Sequence, residues 1–202
     1  MTITPLGLLL MLAFLLAWPA AQAETPLYKD PAQPVSARVE DLLARMTLAE
    51  KVGQMTQINV TRLMGTGEWD RGPLNEAWLE RILIGNGVGS LLSGGGAAPL
   101  PNTPRAWAEM TNALQRYATE NSRLGIPLLY GTDAVHGHNN VGGATIFPHN
   151  LGLAASWQPE LAQRVAQVTA RDLRATGVHW NFAPVADLGR DPRWGRFYET
   201  FG

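Results

Sequence analysis

The sequence of 202 residues contains no cysteine, which excludes disulfide bonds and thiolate chemistry. It also has little excess charge, because sixteen Lys and Arg residues are balanced by seventeen Asp and Glu residues. No basic run or acidic tail is present that would favour nucleic acid or an anionic membrane as a partner. We therefore expect a small or neutral molecule as the partner, and no nucleic acid.

The sequence also lacks nucleotide-binding motifs. No Gly-x-Gly-x-x-Gly pattern follows the first predicted strand, and no P-loop occurs. The glycine clusters at 94–96 and 142–143 are therefore interpreted as turns rather than as phosphate-binding loops. We expect no cofactor.

The chain has one long apolar run, Leu6–Trp18, which is too short for a comfortable membrane span. It is followed by Ala21-Gln22-Ala23, the small-x-small pattern that a signal peptidase accepts. Residues 1–23 are therefore predicted to be a signal peptide, and a retained membrane anchor is the alternative, since residues 1–7 contain no Lys or Arg. We expect a periplasmic or secreted protein that has no membrane contact after cleavage.

Strands and helices are predicted to alternate over residues 35–202, after a Pro-containing linker at 24–34. Apolar spacing predicts helices that begin near Val35, Thr47, Leu74, Pro104 and Pro159. The residues Thr47-Leu48-Ala49-Glu50 are predicted to form a capping box at the start of the second helix. Short strands are predicted over 54–60, 88–92, 126–130 and 178–185. This alternation indicates an α/β fold of parallel βαβ units, either a barrel or a doubly wound sheet, and both bind ligands at the carboxyl ends of their strands.

The segment GTDAVHGHNNVGGATIFPHN, residues 131–150, follows the third predicted strand and is rich in polar side chains. Asp133 can accept two hydroxyl hydrogen bonds through one carboxylate, as a polyol ligand requires. The alternative is that Asp133 caps the following turn. His136 and His138 could belong to a metal site that His149 and His179 complete, but the spacing lacks a specific ligand motif, and we expect no metal.

A second polar segment, NFAPVADLGRDPRWGRFYETFG, occupies residues 181–202. The fourth predicted strand brings Asp187 to the same edge as Asp133. Five charged residues follow it: Arg190, Asp191, Arg193, Arg196 and Glu199. Most of them are expected to pair with each other. The guanidinium of an arginine held in this way could donate to a sugar hydroxyl, and Trp194 could stack on a pyranose ring. A purely structural ion-pair network is the alternative.

Two long stretches, GIPLLYGTDAVHGHNNVGGATIFPHNLGL and RATGVHWNFAPVADLGRDPRWGRFYETFG, resemble the amino-terminal barrel of glycoside hydrolase family 3. The segments RVEDLLARMTLAEKVGQM and GSLLSGGG resemble the same β-glucosidase and exo-β-glucan glucohydrolase branch. The resemblance covers residues 35–202 and implies a TIM-like (β/α)8 barrel. A complete barrel takes about 250 residues. The expected fold is therefore α/β, a partial barrel truncated after about the fourth strand.

The resemblance implies that Asp133 and Arg196 bind the sugar in the glycone subsite and that neither breaks the bond. Members of this family hydrolyse the glycosidic bond with retention of the anomeric configuration. This reaction needs two carboxyl groups about 5 Å apart. The aspartate nucleophile and the glutamate acid/base are expected beyond Gly202. The implied function is the amino-terminal part of a β-glucosidase that hydrolyses terminal β-D-glucosyl residues of β-glucosides or short β-glucans.

Three other functions stay open. A β-N-acetylglucosaminidase of the same family is less similar, because that branch lacks a DAVHGHNNV type of loop. A metal-dependent barrel hydrolase would use His136 and His138, and a non-catalytic sugar-binding module would bind without turnover.

An open half barrel exposes a sheet edge and apolar interior, so the 202-residue polypeptide alone is expected to be inactive and to aggregate or stay molten.

Overall fold

The computed structural model of the protein describes residues 25–64 and 72–202, so the predicted signal peptide lies outside the described residues. The chain divides into two units, Met1–Met46 and Thr47–Gly202. Within the two described ranges, no helix is both long enough and apolar enough to cross a membrane.

The described part of the first unit consists of a 3-10 turn, Leu27–Lys29, and helix α1, Val35–Arg45. Hydrogen bonds join them. The backbone N–H of Tyr28 donates to Asp41 Oδ2 at 3.0 Å, and Arg38 Nε donates to the Tyr28 carbonyl at 3.0 Å. The predicted helix is confirmed.

The second unit alternates strands and helices around a four-stranded parallel sheet with the order β1-β2-β3-β4. The strands are β1, Gln57–Asn59; β2, Ser90–Ser93; β3, Leu129–Thr132; and β4, Trp180–Asn181. The α-helices are α2, Leu48–Gln54; α3, Glu76–Leu79; α4, Pro104–Asn121; α5, Asn150–Ala154; and α6, Pro159–Ala175. Helix α3 continues as a π-helical segment, Glu80–Gly85, and 3-10 turns cover Val60–Leu63 and Phe197–Glu199. The predicted α/β class is confirmed.

Helix α2 begins with the capping box that the sequence predicted. Thr47 Oγ1 accepts from the Glu50 backbone N–H at 3.2 Å, and Glu50 Oε2 accepts from the Thr47 N–H at 2.8 Å. Arg123, and then the Thr47 N–H, lower the pKa of Glu50 to about 2. The apolar side chains Leu48 and Val52 of this helix do not reach the core, since they are 78% and 52% exposed, and Met55, the residue that follows the helix, is 80% exposed.

Helix α4 supplies much of the core. Pro104 occupies its first turn, where the missing N–H leaves no unpaired donor, and the side chain of Thr103 accepts from the Ala106 N–H at 3.2 Å. Trp107 and Leu114 are completely buried. These side chains pack in one hydrophobic cluster with residues of β2, β3 and the 3-10 turn at 60–63.

Helix α6 ends in a Schellman motif that leads directly into β4. Gly177 has a φ of +78°, which an L side chain rarely adopts. Its N–H donates to the Arg174 carbonyl at 3.2 Å, and the Val178 N–H donates to the Leu173 carbonyl at 3.0 Å. This compact ending fixes where β4 starts, and β4 in turn contributes to the site described next.

Candidate functional site

The carboxyl ends of β2, β3 and β4 meet at one edge of the sheet, where side chains link them. Thr132 Oγ1, at the end of β3, donates to the Ser93 carbonyl at 2.8 Å and accepts from Asn140 Nδ2 at 2.9 Å. Asp133 follows Thr132 directly, and Asn181 ends β4 beside it. The predicted polar edge is therefore present, and Asp133 lies on it.

The backbone around Asp133 is held by hydrogen bonds from two asparagines. Asn181 Oδ1 accepts from the Ala134 N–H at 3.0 Å, and Asn181 Nδ2 donates to the Ala134 carbonyl at 3.2 Å. Asn140 Nδ2 donates to the Asp133 carbonyl at 3.1 Å. Asn181 could not be identified from the sequence, because its partner becomes apparent only from the pairing of β3 with β4.

The carboxylate of Asp133 is partly buried, and its oxygens accept no hydrogen bond from any residue that the structure describes. It therefore does not cap the following turn. Burial raises the pKa of Asp133, while Arg196 opposes this change and Glu199 adds to it. The charge of Arg196 thus acts on the carboxylate of Asp133, so the structure places the two predicted sugar-binding residues near each other.

Gly94, just beyond β2, borders this carboxylate. A Cβ added to Gly94 would lie 3.2 Å from Asp133 Oδ2, which is tighter than an ordinary contact. The absence of a side chain at this position keeps the space beside the carboxylate open.

Arg196 and Glu199 form a bidentate ion pair. Arg196 Nε donates to Glu199 Oε1 at 3.0 Å, and Arg196 Nη2 donates to Glu199 Oε2 at 2.7 Å. Asn150 Nδ2 donates to the Glu199 carbonyl at 2.9 Å. Among the residues that the structure describes, Arg196 Nη1 has no partner, so it can donate to a ligand.

The other charges of the second polar segment are arranged differently. Asp191 and Arg193 form a separate pair at 2.6 Å that is largely exposed. Asp187 is exposed, and it makes no hydrogen bond or ion pair with another described residue. Trp194 is 38% exposed. The predicted network is therefore two separate pairs, and only one of them lies near Asp133.

The histidines occupy separate environments. His138 is completely buried, shares a hydrogen bond of 2.9 Å with Thr176 Oγ1 through Nε2, and packs edge-on against Trp107 at 5.3 Å. Burial lowers the pKa of His138 to about 4. His136 instead lies against His149, with ring centroids 4.2 Å apart. In the described part of the chain, no three His, Asp or Glu side chains converge as metal ligands.

Proteins with a parallel α/β sheet bind their ligands at the carboxyl edge of the sheet, which is where Asp133 lies. The sequence matches the family described as "Glycosyl hydrolase family 3 N terminal domain" over residues 47–202. The chain belongs to this glycosyl hydrolase family.

The chain is similar in sequence and in structure to several named proteins. The chain is 41% identical over 166 residues to a lysosomal beta glucosidase of Dictyostelium discoideum, covering 81% of this chain and 20% of that protein. It is 36% identical over 186 residues to a periplasmic beta-glucosidase/beta-xylosidase of Dickeya chrysanthemi, covering 87% of this chain and 27% of that protein. The crystal structure of an exo-1,3/1,4-beta-glucanase from a Pseudoalteromonas species matches with a TM-score of 0.69 and 40% identity, covering 88% of this chain and 20% of that one. The chain thus spans between a fifth and about a quarter of the length of these proteins.

Proposed function

We propose that the chain forms the glycone-binding part of an exported, retaining β-glucosidase that releases glucose from the non-reducing ends of β-glucosides or short β-glucans. The observation that carries this proposal is the Asp133 carboxylate, which is partly buried, has no hydrogen-bond partner among the described residues, and lies within the electrostatic influence of Arg196. Burying a charged group without partners is costly unless a ligand supplies them. A sugar with adjacent hydroxyl groups would supply them.

The two residues would bind the sugar by complementary hydrogen bonds. The Asp133 oxygens would accept from two hydroxyl groups, and Arg196 Nη1 would donate to a hydroxyl oxygen, while Glu199 occupies Nε and Nη2. Hydrogen bonds that involve a charged group are roughly twice as strong as neutral ones. This pair would therefore contribute much of the affinity for the glycone.

Neither residue is proposed to break the glycosidic bond. A retaining glycosidase needs a nucleophile and an acid/base, with their carboxyl groups about 5 Å apart. In this proposal both groups follow Gly202, in the part of the relatives that this chain does not span. Residues 1–202 alone would then be inactive.

We also propose that residues 35–202 form the first four units of a (β/α)8 barrel, after a signal peptide at 1–23 and a linker at 24–34. The sequential strand order supports a barrel, since a doubly wound sheet reverses its strand order at a switch point.

The Dickeya relative is named as periplasmic, which supports export. Its name also includes beta-xylosidase, so β-xylosides are the second substrate to test.

The test uses the complete polypeptide that contains this chain, assayed with aryl β-glucoside, β-xyloside and β-N-acetylglucosaminide. We expect the glucoside to have the highest kcat/KM, and Asp133→Ala to lower that value by about 100-fold or more, since two hydrogen bonds to a charged group are lost. The variant Asp191→Asn, at the exposed ion pair, is the control and should keep full activity. An intact glucoside, or an Asp133→Ala variant with normal kcat/KM, would refute the proposal.

A further inference from the structure

The pairing of β3 with β4 continues beyond the strands through a side chain. The last backbone bond runs from the Phe182 N–H to the Thr132 carbonyl at 3.0 Å. Beyond it, the carboxamide of Asn181 binds both the N–H and the carbonyl of Ala134, at 3.0 and 3.2 Å. A carboxamide carries a donor and an acceptor side by side, so it replaces a backbone partner at the point where the β4 backbone turns away.

Asp133 lies between these two attachments. Thr132 on one side is bonded to the backbone of Phe182, and Ala134 on the other side is bonded to the side chain of Asn181. The Asp133 carbonyl accepts from Asn140 as well. Because both neighbours are held, the direction in which the Asp133 side chain leaves the backbone is fixed.

We propose that Asn181 is a positioning residue that holds the Asp133 carboxylate in the orientation that binds the glycone. This inference rests on the sugar-binding role proposed for Asp133. Oδ1 and Nδ2 of Asn181 are both engaged by Ala134, so Asn181 acts through the backbone of the loop rather than by binding the sugar itself. Displacing a binding group by about 1 Å can cost on the order of 100-fold in rate. The two hydrogen bonds from Asn181 to Ala134 are therefore expected to affect activity directly.

A purely structural role is the competing explanation, because the same two hydrogen bonds also secure the short strand β4. The two roles differ in whether the effects of Asn181 and Asp133 are coupled. If Asn181 acts through Asp133, removing Asn181 has little further effect once the Asp133 carboxylate is gone. If Asn181 only stabilises the fold, the two losses multiply.

The experiment is a double-mutant cycle on the complete polypeptide, with kcat/KM measured on an aryl β-glucoside. We expect Asn181→Ala to lower kcat/KM by about 10- to 100-fold, chiefly through KM, and the double variant with Asp133→Ala to lie within about threefold of Asp133→Ala alone. Independent losses that multiply would overturn the positioning role. If Asp133→Ala itself left kcat/KM unchanged, the proposed function would fail first, so the two failures are distinguishable.

Two further variants keep this result interpretable. Asn121→Ala is the matched control, because Asn121 also donates to a backbone carbonyl, that of Tyr117 at 2.9 Å, on the exposed end of α4. It should leave kcat/KM within about twofold and should multiply with Asp133→Ala. Asn181→Gln keeps both the donor and the acceptor for Ala134 without adding a charge, on a side chain one methylene longer, so we expect a smaller loss than for Asn181→Ala. If a melting curve shows that Asn181→Ala is not folded, the cycle is run with Asn181→Gln, and the same coupled or multiplied outcome decides.

Discussion

Arg196 and Glu199 are joined through both carboxylate oxygens, and the two side chains differ sharply in exposure. The side chain of Glu199 is only 10% exposed, whereas that of Arg196 is 58% exposed. The buried acid therefore anchors the guanidinium, and the outer edge of Arg196 remains available. The bonds to Glu199 also raise the pKa of Arg196.

Replacing Glu199 with Gln removes the charge that anchors Arg196. We expect a higher KM for glucosides, by about 10-fold, because two charge-assisted bonds that orient the guanidinium are weakened. We also expect a lower urea midpoint, because Glu199 is buried. Asp191→Asn provides the comparison at the exposed pair, where KM and the midpoint should stay as in the parent protein. Equal effects of the two substitutions would contradict the anchoring role.

Arg196→Gln is expected to raise the pKa of Asp133, because Arg196 favours the charged carboxylate. The acid limb of the kcat/KM profile should then move to higher pH, since the proposed sugar binding uses the carboxylate form of Asp133. The measurement is kcat/KM for an aryl β-glucoside as a function of pH, compared with Arg193→Gln, whose partner is Asp191. An acid limb that does not move, or moves to lower pH, would show that Asp133 does not control it.

Gly94→Ala places a methyl group against the proposed binding carboxylate. The added Cβ would lie 3.2 Å from both Asp133 Oδ2 and Leu92 Cδ1, so one of them has to shift by a few tenths of an ångström. We expect kcat/KM to fall by about tenfold with little change in melting temperature. Gly85→Ala is the control, because its Cβ would make only an ordinary contact of 3.6 Å. Unchanged kinetics of Gly94→Ala would place the sugar away from this side of Asp133.

His138 is expected to make the stability of the fold depend on pH. Its pKa is about 4 in the folded chain and about 6.5 in an unfolded one, so between these values only the unfolded chain binds the proton. The free energy of unfolding should therefore fall as the pH decreases from about 6.5 to about 4, by up to about 3 kcal/mol. Urea unfolding at about pH 7 and about pH 4.5 measures this, and His138→Gln should show a smaller difference. An equal pH dependence in that variant would assign the effect to other groups.

The sequence predicted the order and type of elements better than their ends. The capping box at Thr47 and Glu50 was recognised because it involves residues three apart, whose interaction does not depend on the rest of the fold. The third strand was predicted over 126–130 but is formed by Leu129–Thr132. Pro127 has no N–H to donate, and the hydrogen bonds to the neighbouring strand begin at Leu129, which donates to the Gly89 carbonyl at 3.0 Å.

The candidate site was predicted in part. Asp133 was predicted from its place after the third predicted strand, and the family resemblance assigned sugar binding to both Asp133 and Arg196. The structure brings these two residues near each other, and their role in binding sugar is a prediction. The hydrogen bonds between Asn181 and Ala134 depend on the register of β3 against β4, which no local sequence pattern specifies. The burial of His138 behind Trp107 likewise depends on how α4 packs, so the sequence left open whether this histidine was structural or a ligand.

The shortness of β4 restricts how this protein can be re-engineered. Successive strand residues point to opposite faces, so inserting or deleting a single residue between Gly177 and Asn181 would turn the Asn181 carboxamide away from Ala134. Loop grafts and library insertions are therefore best confined to the exposed stretch at 186–188, downstream of β4. A designer who changes the α6–β4 connection by one residue would alter the proposed sugar-binding edge without touching any residue on it.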